Sequence, residues 1–220
     1  MKHVVMNRLA MAVCGASLLM GSLTACVPLV IGGAAAGGSL IATDRRTSGA
    51  LLEDEGIELR GVSRIRGNLG DRAHVNLTSY NRQVLLTGEV PTAQDKELVE
   101  QIVSRVENVT SVVNELAVMG NSSLGQRSSD TLVTGRVKAM LIDAPDLFAN
   151  SFKVVTERGT TFLMGRVTQR EAERGTNVVR TTPGVQKVVR IFEIISEDEL
   201  ARMLPTPAKP QPAVAKPPAN

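Results

Sequence analysis

The sequence predicts an α+β fold made of two copies of one α-β-β-α-β unit, each with a three-stranded mixed sheet packed on two helices. Three observations predict it. A strand running into glycine recurs 77 positions apart, a helix-start signal follows each glycine, and turn-forming residues precede each of these strands.

The clearest register sets Val84-Leu85-Leu86-Thr87-Gly88-Glu89-Val90 under Thr161-Phe162-Leu163-Met164-Gly165-Arg166-Val167, so that Gly88 and Gly165 are equivalent. The first copy covers 51–119, the second 130–196, and 120–129 reads as a linker. Each glycine strand has a partner before it, Val75–Tyr80 through Asn81-Arg82 and Lys153–Thr156 through Arg158-Gly159, which are hairpin-turn chemistries. After the glycines stand Thr92-Ala93-Gln94-Asp95 and Thr168-Gln169-Arg170-Glu171, where hydroxyl and carboxylate are expected to satisfy a helix's first amides reciprocally. Leu98, Val99, Ile102, Val103 and Val106 then form one apolar stripe, matched more weakly by Ala172, Val178 and Val179. Glu107-Asn108-Val109 and Pro183-Gly184-Val185 stop the helices, and last strands follow over Val112–Val118 and Val188–Ile195. The crossover into each last strand is expected to be right-handed. Gly88 and Gly165 read as structural glycines that let helix and strand approach closely, not as ligand sites.

A helix opens each copy. The second of these is expected to start at an Asp130 N-cap and to bury Val133, Val137, Met140 and Leu141. Leu132 lies about a quarter-turn from that stripe, over Arg136. Two readings stand: Leu132 packs as a shoulder against the neighbouring domain, or it wedges between lipid headgroups while Arg136 and Lys138 meet phosphates.

The ends have their own composition. Lys2 and Arg8 precede an acid-free apolar run from Leu9 to Leu23, and this run is shorter than the roughly 20 residues a spanning helix needs. Residues 1–25 therefore read as a signal peptide. Leu23-Thr24-Ala25-Cys26 resembles the lipobox of bacterial lipoproteins, which implies a diacylglycerol thioether on Cys26 and a third acyl chain on its amine. Three chains anchor a protein stably, since two already do. Val27 in place of Asp implies the outer membrane, facing the periplasm.

From 26 to 50 the Gly/Ala/Ser-rich sequence predicts a flexible lipidated tether, and 197–220 predicts a Pro/Ala/Lys-rich tail that is extended from Pro205 onward. Loss of Lys2 and Arg8 with the leader takes the formal net charge from +3 to +1.

Catalysis lacks raw material. His74 is the one histidine beyond the leader and reads as a surface or edge residue; Cys26 is the one cysteine, and no metal-ligand spacing is present. The chain is expected to be non-enzymatic, with no metal and no cofactor besides the lipid on Cys26. With aromatics at 2% and no Trp, stacking platforms are lacking and nucleic acid is not expected as a partner. Residues 57–119 carry a net charge of −1 and 130–196 a net +3, and all four phenylalanines lie in the second copy, which marks it as the interaction module.

The glycine-ended strand, the capped helix and the tail Val109, Val112, Asn114, Leu116 resemble the BON domain of bacterial envelope proteins, with Arg190 replacing the tail Asn in the second copy. Two such copies behind a lipobox resemble the dual-BON outer-membrane lipoproteins. The resemblance implies that the second copy binds anionic phospholipid, phosphatidylglycerol or cardiolipin, through its opening helix, with Leu132, Val133, Arg136 and Lys138 as contacts. Related sequences carry a larger aromatic where Leu132 stands. The alternative is a protein adaptor for outer-membrane assembly, cell-wall or division proteins.

Overall fold

The structure, a computed structural model, describes residues 44–203. The expectations for the signal peptide, Cys26, the tether up to residue 43 and the Pro-rich segment fall outside the described residues.

The first domain runs α1 (Ser48–Leu69), β1 (His74–Tyr80), β2 (Gln83–Val90), α2 (Ala93–Ser104), β3 (Ser111–Asn114) and β4 (Ala117–Val118). The second repeats it as α3 (Leu124–Ile142), β5 (Lys153–Glu157), β6 (Thr160–Val167), α4 (Gln169–Arg180) and β7 (Lys187–Ile194), and a short α5 (Glu197–Met203) follows. In both sheets the central strand pairs antiparallel with the strand before it and parallel with the strand after the crossover helix. The hairpins turn as their residues require, because Asn81, Arg82, Arg158 and Gly159 all have positive φ.

Each domain has its own core between sheet and helices. Ile57, Leu77, Leu86, Val99 and Val103 centre the first, and Val137, Leu141, Leu163, Val167 and Val179 the second. The other faces of the two sheets meet each other. Tyr80 and Leu85 pack there with Phe162, Met164 and Ile191, so β2 and β6 are buried on both sides and the layers run helix, sheet, sheet, helix.

Several local expectations need correction. The last strand of the first domain is broken at Glu115-Leu116, opposite Gly88, which has a φ of +111°; β7 runs unbroken past Gly165, which has no positive φ. The close approach differs at the two glycines: a Cβ at Gly88 would strike the His74 carbonyl on the neighbouring strand, and one at Gly165 the carbonyl of Ser151, the last residue of the short 3-10 turn Ala149–Ser151. The reciprocal capping box forms only at Thr168 and Glu171. Asp95 is one methylene shorter than Glu171 and instead takes the Thr92 hydroxyl and pairs with Arg72 at 2.7 Å.

The opening helix of the second domain starts at 124 under a Ser123 cap, so Asp130 is not its N-cap and 124–129 is not linker. Residues 197–203 are helical and not tail. Asp44 to Thr47 is not free tether: Arg45 forms a bidentate pair with Glu171, and Arg46 pairs with Asp54 and stacks 4.3 Å from the Tyr80 ring.

Thr168→Ala removes the hydroxyl that accepts the Glu171 amide and is expected to lower stability by about 1 kcal/mol, read as a shift in the urea midpoint at unchanged slope.

Candidate functional site

Two places gather functional chemistry, and the helices and turns of the repeat position both. The first is α3. Its inner face buries Val133, Val137 and Leu141, and it also turns Asp130 inward, where the carboxylate accepts the Arg158 amide at 2.9 Å and the Gly159 amide at 3.0 Å. The first domain uses the same device, with Asp54 accepting the amides of Asn81 and Arg82 at 2.7 Å each. An aspartate inside each opening helix thus ties down its own hairpin turn. The signal was an Asp recurring 27 to 29 positions before the turn in both copies, and the N-cap reading of Asp130 masked it.

With Asp130 turned inward, no carboxylate remains on the outward face of α3 between Leu124 and Ile142, and an exposed acid, Asp143, stands only at its C-cap. That face carries Leu124 at 79%, Leu132 at 63% and Ile142 at 70% exposure, all within about 80° of one another on the helical wheel and opposite the core stripe. Arg136 and Lys138 flank it, both exposed and neither in an ion pair among the described residues. The shoulder reading of Leu132 fails, because the first domain packs on the sheet and not on this helix. Val133, which helical angle buries and the family resemblance makes a contact, is 4% exposed and belongs to the core, where its Cγ2 would lie 2.6 Å from a Cβ at Gly184. Met140 departs the other way: it is exposed on the flank and does not join the stripe.

The second place is the seam between the domains. His74 is not a plain surface residue. Its Nδ1 lies 3.0 Å from Oε2 of the fully buried Glu89, which also receives Arg158 Nη1 at 2.8 Å and the Ser122 amide at 3.1 Å. Burial pushes the Glu89 carboxyl up, but the Ser122 amide, His74 and Arg158 outweigh it and hold the carboxyl below the usual range. Glu157 goes the other way: burial, with the negative charges of Glu89 and Asp130, raises it despite the Asn76 hydrogen bond. No sequence signal places these groups together, since they meet only when the two sheets stack.

Comparison with known proteins places the chain. Residues 62–120 and 129–195 each match the BON domain. The chain is 35% identical over 184 residues to outer membrane lipoprotein DolP of Haemophilus influenzae, covering 81% of this chain and 95% of that protein. It is 30% identical over 154 residues to a 21 kDa hemolysin of Actinobacillus pleuropneumoniae, covering 69% of this chain and 79% of that one. Among solved structures, CdsD, a structural protein of the type III secretion system of Chlamydia trachomatis, aligns at a TM-score of 0.27 and 15% identity over 64% of this chain and 96% of that chain.

Proposed function

Because this chain is an outer-membrane lipoprotein of the BON-domain family, we propose that it is held by acyl chains on Cys26, faces the periplasm, and docks its second domain on anionic phospholipid through α3. The observation that carries this reading is the outward face of α3: three exposed aliphatic side chains and two cations unpaired among the described residues, with no acid before the C-cap Asp143. Leu132 and its neighbours fit the apolar zone below the headgroups, while Arg136 and Lys138 reach phosphate level. No other chemistry is asked of the protein, and its role is support of envelope integrity and not catalysis.

Permanent attachment through Cys26 makes the second contact effectively intramolecular, so a weak patch is well occupied. Such a contact selects lipid composition and not membrane residence. Phosphatidylglycerol and cardiolipin, with net negative headgroups, suit the +3 net charge of residues 130–196.

The test uses the chain from residue 27, without lipid, and vesicle co-sedimentation. Binding to phosphatidylglycerol or cardiolipin vesicles and not to zwitterionic ones is expected. Each cation near the surface contributes about 1 kcal/mol, so Arg136→Ala with Lys138→Ala is expected to weaken binding roughly 30-fold. Leu132→Glu is expected to abolish it by placing a charge where the headgroups are anionic. Binding that ignores headgroup charge or these variants refutes the proposal; crosslinking of α3 to an envelope protein in its place would establish the adaptor.

A further inference from the structure

Three buried carboxylates, Glu89, Glu157 and Asp130, gather at the seam between the domains: Arg158 Nη1 pairs with Glu89, Asp130 accepts the Arg158 backbone amide, and Arg127 lines the adjoining cleft. Asp130 is committed to two backbone amides, Glu89 Oε1 to Arg158, and Glu89 Oε2 to the Ser122 amide and His74 Nδ1, which leaves Glu157 as the carboxylate with acceptor capacity to spare. Glu157 is 4% exposed, its Oε2 accepts Asn76 Nδ2 at 2.9 Å, and its Oε1 accepts nothing from any described residue. Ligand-capable atoms of His74, Glu89 and Glu157 all lie within 4.8 Å of one another.

We propose that His74 Nδ1, one oxygen of Glu89 and one oxygen of Glu157 form a binding site for a first-row divalent transition-metal ion of the Zn2+ class, bridging the two domains. Zn2+ sits about 2.0–2.2 Å from imidazole nitrogen and carboxylate oxygen, so its tetrahedral ligands stand roughly 3.3 Å apart. The His74–Glu89 separation of 3.0 Å is already close to that, and Glu157 closes the rest by a small rotamer shift. A neutral imidazole donates its Nδ1 lone pair while Nε2 keeps the proton, and water completes the shell.

The donor set decides the ion. Calcium takes six to eight oxygens and magnesium favours an octahedral oxygen shell, whereas one imidazole with two carboxylates suits zinc. An open cleft of about 790 Å³, lined by Asp71, His74, Asn76, Asn121 and Arg127 among others, gives the ion a way in. His74 and Glu89 belong to the first domain and Glu157 to the second, so a bound ion ties the sheets together and stabilises the folded chain by mass action. The site lies on the seam and not on α3, and it is independent of the lipid reading.

The full lipidated chain, stripped of metal in neutral detergent, is titrated with Zn2+ by calorimetry, and its thermal midpoint is followed in parallel. One ion per chain and a raised midpoint are expected, with Mg2+ producing neither. His74→Ala and Glu157→Gln should each weaken Zn2+ binding at least 10-fold. Glu157→Gln keeps the shape and removes a buried charge, so it separates lost ligation from lost folding; Co2+ in place of Zn2+ should give visible tetrahedral absorption that this variant loses. Failure to saturate at one ion, or Zn2+ affinity unchanged in Glu157→Gln, would overturn the site.

Discussion

Arg45→Ala is expected to destabilise the chain by about 3–5 kcal/mol, because it strips a buried carboxylate of its counter-ion. The Arg45 guanidinium gives two 2.7 Å bonds to Glu171 and one of 2.8 Å to the Arg166 carbonyl, and both side chains are almost wholly buried. Without Arg45, Glu171 keeps only the Thr168 amide at 3.0 Å and the distant Arg170. Burial alone would raise its carboxyl, yet the Arg45 bonds, the Thr168 amide and the charges of Arg45 and Arg170 together hold it below the ordinary value of 4.5. A carboxyl depressed in the folded state adds stability above its unfolded pKa and loses it as pH falls through the folded value. The urea midpoint of wild type should therefore fall as pH drops below about 4.5, and Arg45→Ala should flatten that part of the profile. Glu171→Gln measured alone and with Arg45→Ala gives the coupling: the double variant should lose clearly less than the two singles combined. Additive losses would mean that the pair is not one unit.

That Arg45 matters at all could not be read from the sequence. It follows a Gly/Ala-rich stretch, and its partner is 126 positions away, so composition alone assigns it to a tether. The repeat, by contrast, was legible in detail. Glycine strands, turn residues and capped helices are local features, each with a period or a spacing that the backbone enforces. What failed was whatever depended on two separated pieces meeting. Leu124 to Ser129 has no apolar periodicity, so nothing in the sequence marks it as helix, and these residues face outward under a Ser123 cap. The stacking of the sheets does leave a trace in the sequence: Val84-Leu85-Leu86 and Phe162-Leu163-Met164 are apolar at positions of both parities, as a strand buried on both faces must be. Even so, that trace says only that something covers Leu85 and Phe162, not that they cover each other. For the candidate lipid face, helical angle points to Leu132, Arg136 and Lys138 and puts Val133 in the core; only the family resemblance makes Val133 a contact, and its burial overturns that. A residue one position from an exposed one turns about 100°, enough to carry it into the core.

Gly88→Val is expected to cost on the order of 3–5 kcal/mol, and the comparison with Gly165 explains why. At both positions a Cβ would collide with a backbone carbonyl, His74 in one domain and Ser151 in the other, and a backbone obstacle cannot rotate away as a side chain can. Only Gly88 also has a positive φ, +111°, where a β-branched residue has no comfortable backbone conformation. The two effects separate with alanine. Gly165→Ala meets the collision alone, whereas Gly88→Ala meets the collision and the backbone strain together, so Gly88→Ala should be the more destabilising by roughly 1–3 kcal/mol. The damage should also reach further. His74 and Glu89 flank this contact, and displacing the His74 carbonyl moves the strand end that sets the His74–Glu89–Arg158 contacts across the seam. Amide exchange in Gly88→Ala should accordingly quicken at Ser122 and along β5, while the corresponding seam amides in Gly165→Ala stay protected. Equal costs at the two glycines would show that the collision decides both, and that the unusual backbone of Gly88 carries no strain for a side chain.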